Sequence, residues 1–141
     1  MRRAMSWLPS PRTFRLAFCA AVAVSVIAAL APSPEFEPTF KYVDKVQHMA
    51  AFAVLAGLAR FGFPDASQWR IIERLSFLGA AIEVFQSIPA LHRDCDLWDW
   101  AADTLAATIA VVVLTRLIAR RAPAPGPAPG PAPGPAPGTP G

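Results

Sequence analysis

The chain has 141 residues, 54% of them hydrophobic and only 16% charged, with a mean hydropathy of +0.37 and a net charge of +3. Soluble domains usually carry about 25% charged residues, so this composition points to one compact unit sited in a membrane. The basic residues flank apolar runs and form no stripe interleaved with aromatics, which argues against a nucleic-acid partner.

Residues 1–12 carry Arg2, Arg3 and Arg12 with Pro9 and Pro11, and read as a cytoplasmic N-terminal segment. An apolar run rich in Ala and Val follows and stops at Pro32, which predicts a first helix over about 14–31. The same stretch has a rival reading. A basic start, an apolar core and Ala29-Leu30-Ala31 also fit a cleavable signal peptide. Cys19 lies inside this run and reads as a small buried hydrophobe.

Residues 32–45 are predicted to be a polar loop, with Pro32, Pro34 and Pro38. A second helix is predicted over about 45–63, ended by Gly62 and Pro64. A short polar link follows, with Trp69 placed as an interfacial anchor. A third helix is expected over about 73–89, extending backward through Arg70-Ile71-Ile72 as an interfacial turn and closed by Pro89. After a loop holding His92, Arg93, Asp94, Cys95 and Asp96, a fourth helix is expected over about 98–118. Residues 122–141 repeat Pro-Ala-Pro-Gly and lack the donors and apolar bulk of a core, so they read as a disordered, extended tail. A spacer and a ligand for a proline-recognising module are the two readings of that tail.

The predicted fold is therefore all-α, a polytopic four-transmembrane-helix bundle (residues 13–121). A spanning helix needs about 20 apolar residues. Counting Lys and Arg by segment places ten on the side of the two termini and three on the other. Both termini are thus expected in the cytoplasm of a bacterial inner-membrane protein.

The second helix opens with Asp44, Lys45 and His48; Asp44 and His48 are four apart and share a face. The third carries Glu83 and Gln86, the loop Arg93, and the fourth Asp99 and Asp103. In the predicted topology all of these converge on the outer half of the bilayer. Gly79 shares a face with Glu83 and Gln86, and Ala106 and Ala110 share one with Asp99 and Asp103. Small residues permit close helix approach in lipid, so these faces are expected to point inward. Each residue also has a bland role: Asp44 and Asp99 as helix caps, Lys45 snorkelling to head groups, Arg93 solvated. Glu83 resists that treatment. A carboxylate near the bilayer centre costs about 2.5–3.5 kcal/mol even on insertion scales, so it calls for a proton or a cation.

Asp44-Lys45-x-x-His48, Glu83-x-x-Gln86, Arg93 and Asp99-x-x-x-Asp103, in that order, resemble the pattern of the VanZ-like family over roughly residues 41–113. Those are small polytopic membrane proteins of the bacterial envelope, named for a teicoplanin-resistance accessory protein. This chain has Ala106 where the family commonly has Gly, and an unusually acidic approach to Asp99. The resemblance implies an envelope membrane protein and supplies no reaction.

Three function classes follow. In the first, a non-catalytic protein binds an anionic lipid or glycopeptide-like ligand: Lys45, His48 and Arg93 meet the anion, and Glu83, Asp99 and Asp103 hold those cations. The second is an intramembrane enzyme with His48 or Glu83 as acid–base groups, with or without a metal at a His-carboxylate site of His48, Glu83 and Asp99. The third is a proton-coupled transporter using Glu83, which with four helices and no internal repeat requires a homo-oligomer. No HExxH or paired-cysteine spacing is present, so no metal or other cofactor is expected.

Overall fold

A computed structural model describes residues 9–31, 38–89 and 96–121; the side chains of residues 38–42 and 44 lie outside that description. The described chain is all helical: α1 (Pro11–Leu30), α2 (Pro38–Gly62), α3 (Gln68–Gln86) and α4 (Leu97–Arg121). Two of these, α1 and α4, are long and apolar enough to cross a membrane. α2 and α3 carry charged residues spread along their length, among them Lys45 and Arg60 of α2 and Glu73, Arg74 and Glu83 of α3.

The helix starts follow local chemistry. Ser10 caps α1, its Oγ accepting from Thr13 N at 3.3 Å, and Pro11 occupies the first helical position, where a missing N–H costs nothing. Ser67 caps α3 in the same way through Arg70 N. Two predicted boundaries need correction. α2 begins at Pro38, well before residue 45, because proline at a helix start is a permitted opening and not a stop. α3 begins at Gln68, since the Ser67 cap starts the helix upstream of the run that carries its apolar periodicity. Residues 122–141, and with them the tail reading, lie outside the described residues.

α2 and α4 form the central pair, with the most extensive contact in the molecule; α1 lies against α2, and α3 against α4. The core is small and made of Phe52, Leu55, Ala56 and Ala59 of α2, Ile71, Leu75 and Ile82 of α3, and Ala107 and Val111 of α4, with Ala29 of α1. Large apolar side chains meanwhile point outward on every helix, among them Ile27 (70% exposed), Val54 (58%), Phe77 (76%) and Ile109 (55%). Cys19 is exposed on α1, not buried as its residue type suggests, because it sits on the face turned away from α2. Trp69 is 66% exposed beside the α2–α3 link.

Polar clasps tie the helices at their ends. Arg15 Nε donates to the Gly62 carbonyl at 2.7 Å, and Phe14 stacks on Phe61 at 5.2 Å. At the other end of α1, Gln86 Nε2 donates to the Ala29 carbonyl at 2.9 Å. That oxygen belongs to the last turn of α1, where helix carbonyls lack intrahelical partners. Between α3 and α4, Trp100 Nε1 donates to the Ser76 carbonyl at 3.0 Å, and Thr104 Oγ1 to Ser76 Oγ at 3.1 Å.

Gly79 is buried on α3, and a Cβ there would stand 3.4 Å from both Phe52 Cζ of α2 and Trp100 Cδ1 of α4. A single methyl is borderline, whereas a larger side chain has nowhere to go. Gly79→Leu should therefore cost about 1–3 kcal/mol through overpacking. Gly79→Ala should stay close to wild type. Thermal unfolding of the purified protein in detergent, followed by tryptophan fluorescence, checks this; equal midpoints for Gly79→Leu and wild type would refute the packing.

Candidate functional site: a buried polar cluster between α2, α3 and α4

Lys45 and His48 stand one turn apart near the start of α2, facing α4. Lys45 Nζ lies 2.8 Å from Asp99 Oδ1 and 3.6 Å from Asp96 Oδ2. One turn further along, His48 Nδ1 lies 3.7 Å from Asp103 Oδ2, an ion-pair separation when the imidazole is protonated and longer than a hydrogen bond. Asp99 and Asp103 are themselves one turn apart on α4, so the two parallel helices meet rung to rung.

Glu83 enters from α3. Its side chain is buried at 6% exposure, and Oε2 accepts from the backbone N–H of Asp96 at 2.9 Å. Asp96 in turn opens α4: its Oδ1 accepts from Trp98 N at 2.9 Å, and its carbonyl accepts from Asp99 N at 2.8 Å. This is N-cap geometry. The cap of α4 is therefore Asp96, not Asp99 as its bland reading had it; Asp99 sits in the first turn, where its charge suits the helix dipole. Sequence reasoning placed Asp96 in a loop and gave it no role. The available signal was an Asp directly before the apolar pair Leu97-Trp98.

Asp103 is the most enclosed member, at 2% exposure, and its Oδ1 has no hydrogen-bond partner among the described residues. Buried carboxylate oxygens are normally satisfied, so this atom has capacity for one more donor. Glu83 lies close enough to interact electrostatically with His48, Asp99 and Asp103. Lys45, with side-chain exposure of 35%, and Asp99, with 29%, form the more open end of the cluster.

The remaining predicted site residues fall elsewhere. Gln86 is buried on the same face of α3 as Gly79 and Glu83, yet its amide reaches α1 through Ala29. Asp44 belongs to α2 with its side chain outside the described residues, and Arg93 lies outside them altogether. On α4 the buried line runs through Asp103, Ala107 and Val111, with Ala106 and Ala110 half-buried at its edge. Among the described residues no three His, Cys, Asp or Glu side chains are placed to hold one metal ion.

Compared with known proteins, the chain matches no family model, no curated protein and no solved structure. The geometry of the cluster sets one ammonium and one imidazole against two carboxylates of α4 and that of its capping residue Asp96, with a fourth carboxylate from α3 gripping the backbone that carries them.

A double-mutant cycle measures the first rung. Lys45→Met and Asp99→Asn should show a favourable coupling of about 0.5–1 kcal/mol, the range for partly exposed pairs. Lys45→Met alone should be the worse single change, because it leaves Asp96 and Asp99 facing one another without a cation. Unfolding in mixed detergent micelles gives the numbers, and additive single effects would mean that the rung contributes nothing.

Proposed function

We propose that this chain is a VanZ-like multi-pass protein of the bacterial cytoplasmic membrane, which binds an anionic lipid or glycopeptide-like ligand at the outer face through the Lys45–His48 cluster. Four spans, with both termini in the cytoplasm, belong to the same reading. The membrane placement is supported by the apolar side chains that all four helices turn outward. Contiguous exposed apolar surface of that kind is rare on soluble monomers.

One observation carries the ligand reading: the Lys45 ammonium and the His48 imidazole of α2 are held against carboxylates of α4 near one end of the bundle. A lysine ammonium has three donor directions. Asp99 takes one of them at 2.8 Å while Asp96 attracts the group from 3.6 Å, which holds the ammonium and leaves donor capacity for a phosphate or carboxylate. Arg93, on the segment between α3 and α4, is the further cation this reading assigns to the ligand. The partner is a membrane lipid or envelope glycopeptide; the reading invokes no cofactor and no nucleic acid.

A second reading rests on Asp103. A buried carboxylate with one unpartnered oxygen beside an imidazole is the raw material of acid–base chemistry, with His48 and Glu83 as the proton carriers. It requires a substrate to reach Asp103 past the Lys45–Asp99 rung.

Mass spectrometry of the intact protein, extracted in mild detergent, tests the first. Under the binding reading an anionic phospholipid or polyprenyl phosphate travels with the wild-type chain, and Lys45→Gln or Arg93→Ala lowers its occupancy several-fold while leaving the protein inserted. Unchanged occupancy in both variants sinks that reading. The topology has its own check. A membrane-impermeant thiol reagent applied to intact cells should modify Cys95 and spare Cys19; labelling of Cys95 only after permeabilisation would place the α3–α4 segment in the cytosol.

A further inference from the structure

At the opposite end of α2 from the polar cluster lies a cavity of about 480 Å³ between α1, α2 and α3. Lys45 and Gly62 bound the intervening stretch of α2, so at about 1.5 Å rise per residue the two features stand ~26 Å apart. The cavity falls within the ~300–1,000 Å³ range of small-ligand sites. Its walls are apolar, with Phe18 and Val22 of α1 facing Leu75 and Leu78 of α3. Its mouth is basic. Arg15, Arg70 and Arg74 line it, against a single carboxylate from Asp65.

These guanidiniums are placed differently from the other arginine nearby. Arg60 is consumed by the fold: Nε donates to Thr115 Oγ1 at 3.1 Å, and Nη1 to the Pro64 carbonyl at 3.2 Å. Arg15 uses Nε on the Gly62 carbonyl and lies over the Phe63 ring, 5.2 Å from its centroid, which pins the head group at the cavity edge. Arg70 and Arg74 are exposed, one turn apart on α3, and form no ion pair among the described residues. A guanidinium fork suits a phosphate oxygen pair better than any other biological anion except a carboxylate.

An apolar slot with a cationic mouth fits one kind of molecule, a lipid with an anionic head and acyl chains. We propose that this cavity is an anionic phospholipid site, with the head-group phosphate on Arg15, Arg70 and Arg74 and an acyl chain between Phe18, Val22 and Leu78. The inference rests on the membrane reading and not on the Lys45–His48 cluster. In the proposed topology the mouth faces the cytoplasmic leaflet, where anionic lipids attract juxtamembrane basic groups and fill basic pockets between helices.

The test uses the full-length chain in detergent, equilibrated with micelles containing either phosphatidylglycerol or phosphatidylcholine, and counts bound lipids by native mass spectrometry. Wild type should bind phosphatidylglycerol at least fivefold more tightly than phosphatidylcholine at this site. Arg70→Gln/Arg74→Gln, two exposed positions whose change leaves the core intact, should bring the two lipids to parity. Arg116→Gln/Arg120→Gln removes the same charge from the same end outside the cavity and should keep the preference. Val22→Trp, which fills the slot, should remove the lipid with the arginines untouched.

Equal binding of both lipids by wild type overturns the proposal, as does an Arg116→Gln/Arg120→Gln loss as large as that of Arg70→Gln/Arg74→Gln. Displacement of the lipid by millimolar glycerol 3-phosphate also overturns it, since the apolar walls would then contribute nothing. Loss of lipid in Lys45→Gln with Arg70→Gln/Arg74→Gln unaffected overturns this inference alone and leaves the outer-face reading standing; the reverse pattern does the opposite.

Discussion

Charge that is taken out of water has to be matched where it lands, and in this molecule that requirement falls on the α2–α4 pair. Lys45, His48, Asp99 and Asp103 cannot be placed at random among apolar helices. Each isolated ion would cost several kcal/mol, and removing one partner of a buried pair is worse than never having had either. The ammonium and the imidazole therefore lie along α2 and the carboxylates along α4, one turn apart on each. Small buried residues on both helices, such as Ala56 of α2 and Ala107 of α4, permit the close approach over which the pairs meet. α1 and α3 then attach to this pair from the sides, through Gly62 and Gly79.

Glu83 connects the third helix to the same constraint in a less direct way. It meets no cation at hydrogen-bond range among the described residues, but accepts the backbone N–H of Asp96. A buried carboxylate is thus stabilised by a peptide dipole at a helix start, where donors are in surplus. In the same move the first turn of α4 is tied to α3. The two helices are also linked by Ser76 with Trp100 and Thr104, so that hairpin is fastened at two heights.

Much of this was legible from residue types alone. Four helices follow from apolar runs punctuated by Pro and Gly. The inward face of α3 follows from Gly79, Glu83 and Gln86 lying on one stripe. The pairing of Lys45 and His48 with Asp99 and Asp103 was foreshadowed by their shared spacing of about one turn. What stayed hidden depends on distances between helices. Gln86 bonds to a carbonyl of α1, and carbonyl positions leave no mark in a sequence. Asp96 reads as one more acidic loop residue until the start of α4 is fixed. The exposed side of α1 that carries Cys19 is set by which face meets α2, and an evenly apolar helix does not announce that face. The basic mouth near Arg70 was visible only as a topology signal, because the apolar slot behind it is built from three separate helices.

The rungs between α2 and α4 keep a nearly constant offset from one end of the pair to the other: Lys45 with Asp99, His48 with Asp103, and Arg60 with Thr115. They act as teeth on two parallel racks. Sliding one helix past the other by a single turn, ~5.4 Å, would part Arg60 from Thr115 and re-form only one of the two carboxylate rungs, as Lys45 with Asp103 or His48 with Asp99. A one-turn translation along the axis therefore loses contacts on balance. The register of α2 and α4 thus sets the frame on which α1 and α3 are hung.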